Sequence, residues 1–345
     1  MDRVLIVTRS ITDGGATKRI KLISQILSEK GYTVEIISFD NVDSNDDPNT
    51  LILMFRFFIC IWKKIRKNNY SILICNSRRL YPKCKIITLL LNIKYVNFVQ
   101  IVYKNQPYFF KYFYSKNVLC VSNATKEYLT TRQNIPKKNI YVIKNSSPGL
   151  KKLNQEEINL VKNKFNIYDE FVISCIARFH EIKGHKYLIE SYKEISKIYP
   201  STKLLLMGYG DYKKNVEEYI NQFNISDKVI FIESDHPVNE IMMISDFLVL
   251  PSLREGLPTM ILEAFSLGKT VVASNIPGTN EIVKHNYNGL LFPPKNTELL
   301  TNCMIQLIEG KELKKRLELN SLKTYQSKFS FEKYKEEIVK YFDTL

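Results

Sequence analysis

Apolar residues along this chain fall into short runs, separated by longer stretches where they recur every three or four positions. The run Phe-Val-Ile-Ser-Cys-Ile-Ala at 171–177 is nearly continuous, as a strand buried on both faces requires. After Gly184 the spacing changes, and Tyr187, Leu188, Ser191, Tyr192 and Ile195 share one helical face. The same switch repeats from end to end. It predicts strands at 3–8, 33–38, 71–75, 95–101, 117–121 and 140–144, with helices between. Beyond Ser146-Ser147-Pro148-Gly149, which reads as a linker, a second set is expected at 171–177, 203–207, 229–233, 246–250, 270–273 and near 290–292. Strands alternating with helices through tight glycine turns define an α/β chain with two doubly wound, parallel-sheet, Rossmann-like domains. A length of 345 residues suits two cores better than one.

Composition adds two constraints. Six cysteines (60, 75, 84, 120, 175 and 303) are scattered without a CxxC pair, which points to buried thiols in a reducing compartment. The first strand begins at about Val4, leaving no room for a signal peptide. The apolar stretch from Leu51 to Trp62 is too short to span a bilayer and is interrupted by Arg56.

The charge is one-sided. The net charge of +15 lies wholly in residues 1–150, which hold 24 Lys and Arg against 9 Asp and Glu; residues 151–345 hold 26 of each. Residues 51–150 carry 18 basic residues and a single acidic one, Glu127. That excess implies a polyanionic neighbour.

Candidate chemistry sits in the second half. Glu255-Gly256-Leu257-Pro258-Thr259-Met260-Ile261-Leu262-Glu263 follows a strand and enters a helix, with Pro258 in the first turn and Gly268 just past the end. Free N–H groups and the helix dipole near Gly256 and Thr259 suit an anion, and Glu255 and Glu263 can accept from hydroxyls. A solvated helix face explains the two glutamates equally well when they are taken alone. Arg178 and Lys183 leave another strand of the same kind, where a planar fork and a point charge can converge on one diphosphate. Two solvated surface cations are the bland alternative, which the glutamate pair in a matching strand–loop–helix unit outweighs.

With these motifs in place, the chain resembles the retaining glycosyltransferases of family four, which have the GT-B fold of two such domains facing a cleft. Supporting pieces are Leu206-Met207-Gly208-Tyr209-Gly210-Asp211, Pro277-Gly278-Thr279-Asn280-Glu281 and Asn288-Gly289-Leu290-Leu291-Phe292. The resemblance implies an acceptor- and membrane-facing domain at 1–148, joined by a C-terminal helix 331–345, and a nucleotide-sugar domain at 149–330. It implies that Arg178 and Lys183 bind the donor diphosphate, that Glu255 contacts the transferred sugar and that Glu263 holds the ribose. It further implies that Gly256, Leu257 and Gly208 lie beside the donor, with Gly14 and Gly15 closing over it from the first domain. No metal and no cofactor are implied; the donor is a nucleoside-diphosphate sugar, a UDP-sugar by preference.

Two departures from the family matter. A histidine common near the end of the strand at 96–102 is missing, which leaves Gln100, Lys104 or Asn105 for an acceptor-side role. Glu233 stands where a glycine is usual near the nucleobase. The four histidines, His180, His185, His236 and His285, read as surface or loop residues without metal-type partners.

The expected activity is transfer of a hexose-type residue to a hydroxyl of a lipid-linked or polymeric, polyanionic glycan, at the cytoplasmic face of the membrane. Residues 51–114 combine basic and aromatic side chains, as an interfacial surface on anionic lipid does. The helix beginning near Leu51 fits either that role or an ordinary core. Nucleic-acid binding is disfavoured because it leaves the Glu255, Glu263, Arg178 and Lys183 constellation unused. A phosphorylase would need a cofactor-lysine region and a larger chain. The competing reading is a catalytically silent GT-B scaffold that binds a sugar nucleotide or a partner glycosyltransferase.

Overall fold

The computed structural model describes residues 2–9, 11, 15–39, 50–101 and 107–345, with the side chains of 50–54 excepted. Two compact units emerge, one of residues 1–145 with 332–345 and one of residues 146–331.

In unit 1 the order is β1 (Arg3–Thr8), α1 (Gly15–Glu29), β2 (Thr33–Ser38), α2 (Thr50–Asn68), β3 (Ile72–Cys75), α3 (Tyr81–Leu91), β4 (Lys94–Val99), β5 (Asn117–Cys120), α4 (Asn123–Arg132) and β6 (Ile140–Val142). These strands form one parallel sheet in the order β2-β1-β3-β4-β5-β6. The expected strands appear with small end shifts. The fourth stops at Val99, and the side chain of the next residue, Gln100, donates to Asn76.

The sheet's inner residues, such as Leu5, Val7, Leu73 and Val118, pack with Phe57, Ile61 and Ile65 of α2. That contact decides between the two readings of α2. The apolar face of α2 is core: these three side chains are buried, and Phe58 and Trp62 pack partly against the same cluster. Removing them from water is worth about 2 kcal/mol each, which a bilayer would have to replace. Large apolar side chains remain exposed elsewhere in the unit, at Ile86, Leu89 and Leu90 of α3 and at Tyr108, Phe109 and Tyr112.

Unit 2 runs α5 (Gln155–Lys164), β7 (Phe171–Ile176), α6 (His185–Ile198), β8 (Thr202–Met207), α7 (Lys213–Gln222), β9 (Val229–Ile232), α8 (Val238–Ile244), β10 (Phe247–Leu250), α9 (Thr259–Ser266), β11 (Val271–Ser274), α10 (Thr279–Ile282), β12 (Leu290–Phe292), α11 (Thr297–Glu309) and α12 (Lys311–Thr324). Its parallel sheet has the order β12-β11-β10-β7-β8-β9. Leu188, Ser191, Tyr192 and Ile195 of α6 are buried, as their spacing predicts.

The last helix, α13 (Phe331–Asp343), belongs to unit 1 for nearly all its length. It buries Tyr334, Ile338, Tyr341 and Phe342, with the Tyr341 ring 4.9 Å from that of Tyr141. All six cysteines are free, and all but Cys60 are buried. Among the described residues no helix is long and apolar enough to cross a membrane.

Candidate active site

In unit 2 the chain leaves β7 toward one side of the sheet and returns to β7's other side with β10, so the order reverses between these two strands. Open parallel sheets bind ligands at such a reversal, outside the carboxyl ends of the strands. Both loops that leave this point carry charge.

After β7 a tight turn, Glu181–Lys183, is capped by His180, whose Nδ1 accepts from the Ile182 N–H at 3.2 Å. Gly184 ends the turn with φ +71°, and a Cβ there would lie 2.1 Å from the Pro251 carbonyl oxygen. Only glycine lets this turn lie against the end of β10. The Leu253 N–H donates to the Ile182 carbonyl at 2.8 Å, joining the two loops.

The consequence is a contact between charges 72 residues apart: Lys183 Nζ lies 2.6 Å from Glu255 Oε1. The same carboxylate oxygen accepts from Ser252 Oγ at 2.7 Å. The pair is mostly shielded, with 22% of the Lys183 side chain and 10% of the Glu255 side chain accessible. Shielding from water makes the attraction between the two charges stronger than in a surface bridge.

Glu255 is held from below as well. Gly278, with φ +87°, packs so closely that a Cβ would meet the Gly256 carbonyl oxygen at 2.2 Å. Gly256 and Leu257 are buried. Pro258 then starts α9 without a side-chain cap, which leaves first-turn N–H groups such as those of Thr259 and Met260 without an intrahelical acceptor. Gly268 follows the helix with φ +78°.

The remaining expected site residues divide into three groups. Arg178 stands exposed at the carboxyl end of β7, makes no hydrogen bond or ion pair with a described residue, and lies with its Cγ beside Gly210. Gly208, at the end of β8, packs on the Ala177 carbonyl; the space a Cβ would need is taken, so its backbone closes on β7. Glu263 is half-buried on α9 and takes no part in the Lys183–Glu255 contact. Gly15 is the exposed first residue of α1 in unit 1, whereas Gly14 lies outside the described residues, as do Lys104 and Asn105.

Two features escaped the sequence reading. Ser252 is the second partner of Glu255, and only its place three residues upstream could have signalled it. His185 is the other, and it corrects the surface assignment: it is 1% exposed, packs 5.0 Å from the Phe179 ring, and both ring nitrogens lack a partner. Burial, aided by repulsion from Lys183, pulls its pKa down to about 4, so the ring is neutral near pH 7. Its position in the first turn of a helix with a buried face at 188, 191, 192 and 195 was the available signal. His236 is also shielded, with its Nε2 2.9 Å from Glu240. Glu233 is exposed and lies 3.6 Å from Lys213. Among the described residues no group of three or more His, Cys, Asp or Glu could hold a metal ion.

Two doubly wound parallel sheets in one chain are the architecture of the GT-B fold. The chain belongs to the family glycosyl transferases group 1, whose model matches residues 135–324, and the glycosyltransferase family 4 model matches residues 13–146. It is 28% identical over 344 residues to an uncharacterized glycosyltransferase of Methanocaldococcus jannaschii, covering 93% of this chain and 92% of that one. It is 27% identical over 207 residues to the UDP-Gal:alpha-D-GlcNAc-diphosphoundecaprenol alpha-1,3-galactosyltransferase of Escherichia coli, over 57% of this chain and 52% of that protein. The chain spans about half the length of several curated relatives it matches, from 44% to 59%. The crystal structure of HepE from Anabaena in complex with UDP and glucose superposes with a TM-score of 0.84 over 100% of both chains at 17% identity, a likeness of fold.

Proposed function

We propose that the protein is a retaining glycosyltransferase that moves a hexose from a UDP-sugar to a hydroxyl of a lipid-linked or polymeric surface glycan, without a metal. The observation that carries this reading is the shielded Lys183–Glu255 contact at the order reversal of unit 2, 2.6 Å long and next to an uncapped helix start. In this reading the donor diphosphate replaces Glu255 as the partner of Lys183, and Arg178, which has no described partner, turns onto the same phosphates. Glu255, released from Lys183 but still held by Ser252, accepts from a hydroxyl of the sugar. Glu263 takes the ribose hydroxyls.

As the bond from the anomeric carbon to the phosphate oxygen breaks, negative charge grows on the leaving diphosphate. Two cations and the N–H groups of α9 are already oriented to stabilise it. The acceptor oxygen bonds to the anomeric carbon on the same face, and its proton passes to the leaving phosphate oxygen. The name of the Escherichia coli relative, which includes a diphosphoundecaprenol acceptor, supports a lipid-linked acceptor here.

Peripheral attachment at the cytoplasmic face accompanies this role. Ile86, Leu89, Leu90, Tyr108, Phe109 and Tyr112 are exposed, and Lys111 sits 4.0 Å from the Tyr108 ring. That mixture of cations and amphipathic rings suits an anionic bilayer surface. Co-sedimentation with phosphatidylglycerol vesicles tests it: Leu89→Ser with Leu90→Ser weakens binding, and unchanged sedimentation contradicts the surface. For the chemistry, incubation with UDP-, GDP- and ADP-sugars and detection of released nucleoside diphosphate is the test. Release that depends on Lys183 and Glu255 supports transfer, and its absence with all donors favours a silent scaffold.

A further inference from the structure

Unit 1 has its own order reversal, between β1 and β3. Thr8, Asn76 and Gln100 stand at or just past the carboxyl ends of the adjacent strands β1, β3 and β4. Gln100 Nε2 donates to Asn76 Oδ1 at 2.5 Å and to the Ala16 carbonyl at 3.2 Å, and Asn76 Nδ2 lies 3.5 Å from Thr8 Oγ1. Gln100 Oε1 in turn accepts from Arg19 Nη1 at 2.6 Å. A polar row therefore crosses the edge of three strands and ends on a guanidinium.

Arg19 is only 7% exposed, yet no carboxylate among the described residues forms an ion pair with it. The titratable neighbour that bears on it is Tyr334 of α13, a neutral phenol, since burial holds that hydroxyl well above its ordinary range. Burial pulls the Arg19 guanidinium down to about 10, so it stays charged near neutrality. Buried arginines are almost always paired, because an uncompensated charge in a low-dielectric site is costly. Bracing the Gln100 amide needs a donor but no charge; a neutral side chain would do it without that cost. Toward the described residues the guanidinium makes one hydrogen bond, to Gln100, of a possible five. What the described residues do not supply to this guanidinium is an anion.

We propose that Arg19 is the anion-binding residue of a second ligand site at the order reversal of unit 1, and that it holds a phosphate of the acceptor. The word acceptor rests on the transfer reading above; phosphate binding itself does not. A planar fork with free N–H groups matches phosphate oxygens two at a time. A diphosphate that links the growing glycan to its lipid has this chemistry.

Calorimetric titration of inorganic pyrophosphate into the full chain tests the proposal. Arg178→Ala with Lys183→Ala disables the unit 2 site, and the residual binding in that background is then followed. Adding Arg19→Gln is expected to weaken it roughly tenfold or more, and Arg19→Lys to restore most of it. Should Arg19→Gln fail to fold, Gln100→Glu serves instead: it gives Arg19 an internal counter-ion and is expected to abolish the residual binding. Unchanged affinity in whichever variant folds overturns the proposal. An equal loss on neutralising the exposed Lys67 also overturns it, since that marks diffuse attraction. If the unit 2 variants leave the wild-type titration unchanged, the donor reading fails while the Arg19 comparison still stands.

Discussion

The two sheets reverse their strand order at equivalent places and put different charges there. In unit 2, Lys183 and Glu255 neutralise each other at 2.6 Å, with Ser252 as a third partner. In unit 1, Arg19 donates to Gln100, which leads on to Asn76 and Thr8, and no carboxylate among the described residues pairs with it. The same topology thus carries a closed ion pair in one unit and, among the described residues, a cation without a carboxylate partner in the other. The fold supplies the location, and the residues just beyond the strands decide what is bound.

The largest expected effect comes from removing either member of the unit 2 pair. Lys183→Ala or Glu255→Ala should lower kcat by about 10²–10³, the loss typical of a preorganised charge. Circular dichroism should show the fold intact, and near-normal transfer by both variants would break the contrast. Gly184→Ala comes next. A methyl group at φ +71° and 2.1 Å from the Pro251 oxygen forces the two loops apart. A stability loss of about 2–4 kcal/mol should appear as a Tm lowered by several degrees, with activity falling in parallel.

His185 sharpens the comparison through pH. Its folded pKa, about 4, lies below the ordinary value of 6.5, so the unfolded chain binds more protons between those limits. The stability from keeping it neutral is whole above about pH 6.5 and is lost as pH falls toward 4, by up to about 3 kcal/mol. Urea unfolding from pH 7 to 4.5 should show this decline, and His185→Leu should flatten it. The smallest effect is at Ser252. Ser252→Ala removes one hydrogen bond to Glu255 and should reduce kcat only several-fold, about 1 kcal/mol.

Much of this was legible in the sequence, for identifiable reasons. Strands such as Phe171–Ile176 are buried on both faces, so their apolar runs mark them without help from context. That Lys183 and Glu255 both stand beyond the carboxyl ends of strands was visible because each follows such a run within a few residues. The Arg19–Gln100 contact was not, since it joins residues 81 positions apart through a strand order that no local pattern encodes. The face of α2 was ambiguous because a core and a bilayer select the same apolar spacing. His185 was misread although it stands three residues before Leu188 on the buried face of α6; its neighbour across the sequence, Phe179, is placed only by the fold.

The most direct test is the affinity of nucleoside diphosphates for the wild-type chain, Lys183→Ala and Arg19→Gln, measured by calorimetry with UDP, GDP and ADP. The preferred nucleotide should bind Lys183→Ala at least about tenfold more weakly than wild type and Arg19→Gln as well as wild type. Equal binding by wild type and Lys183→Ala would place the diphosphate elsewhere and contradict the account.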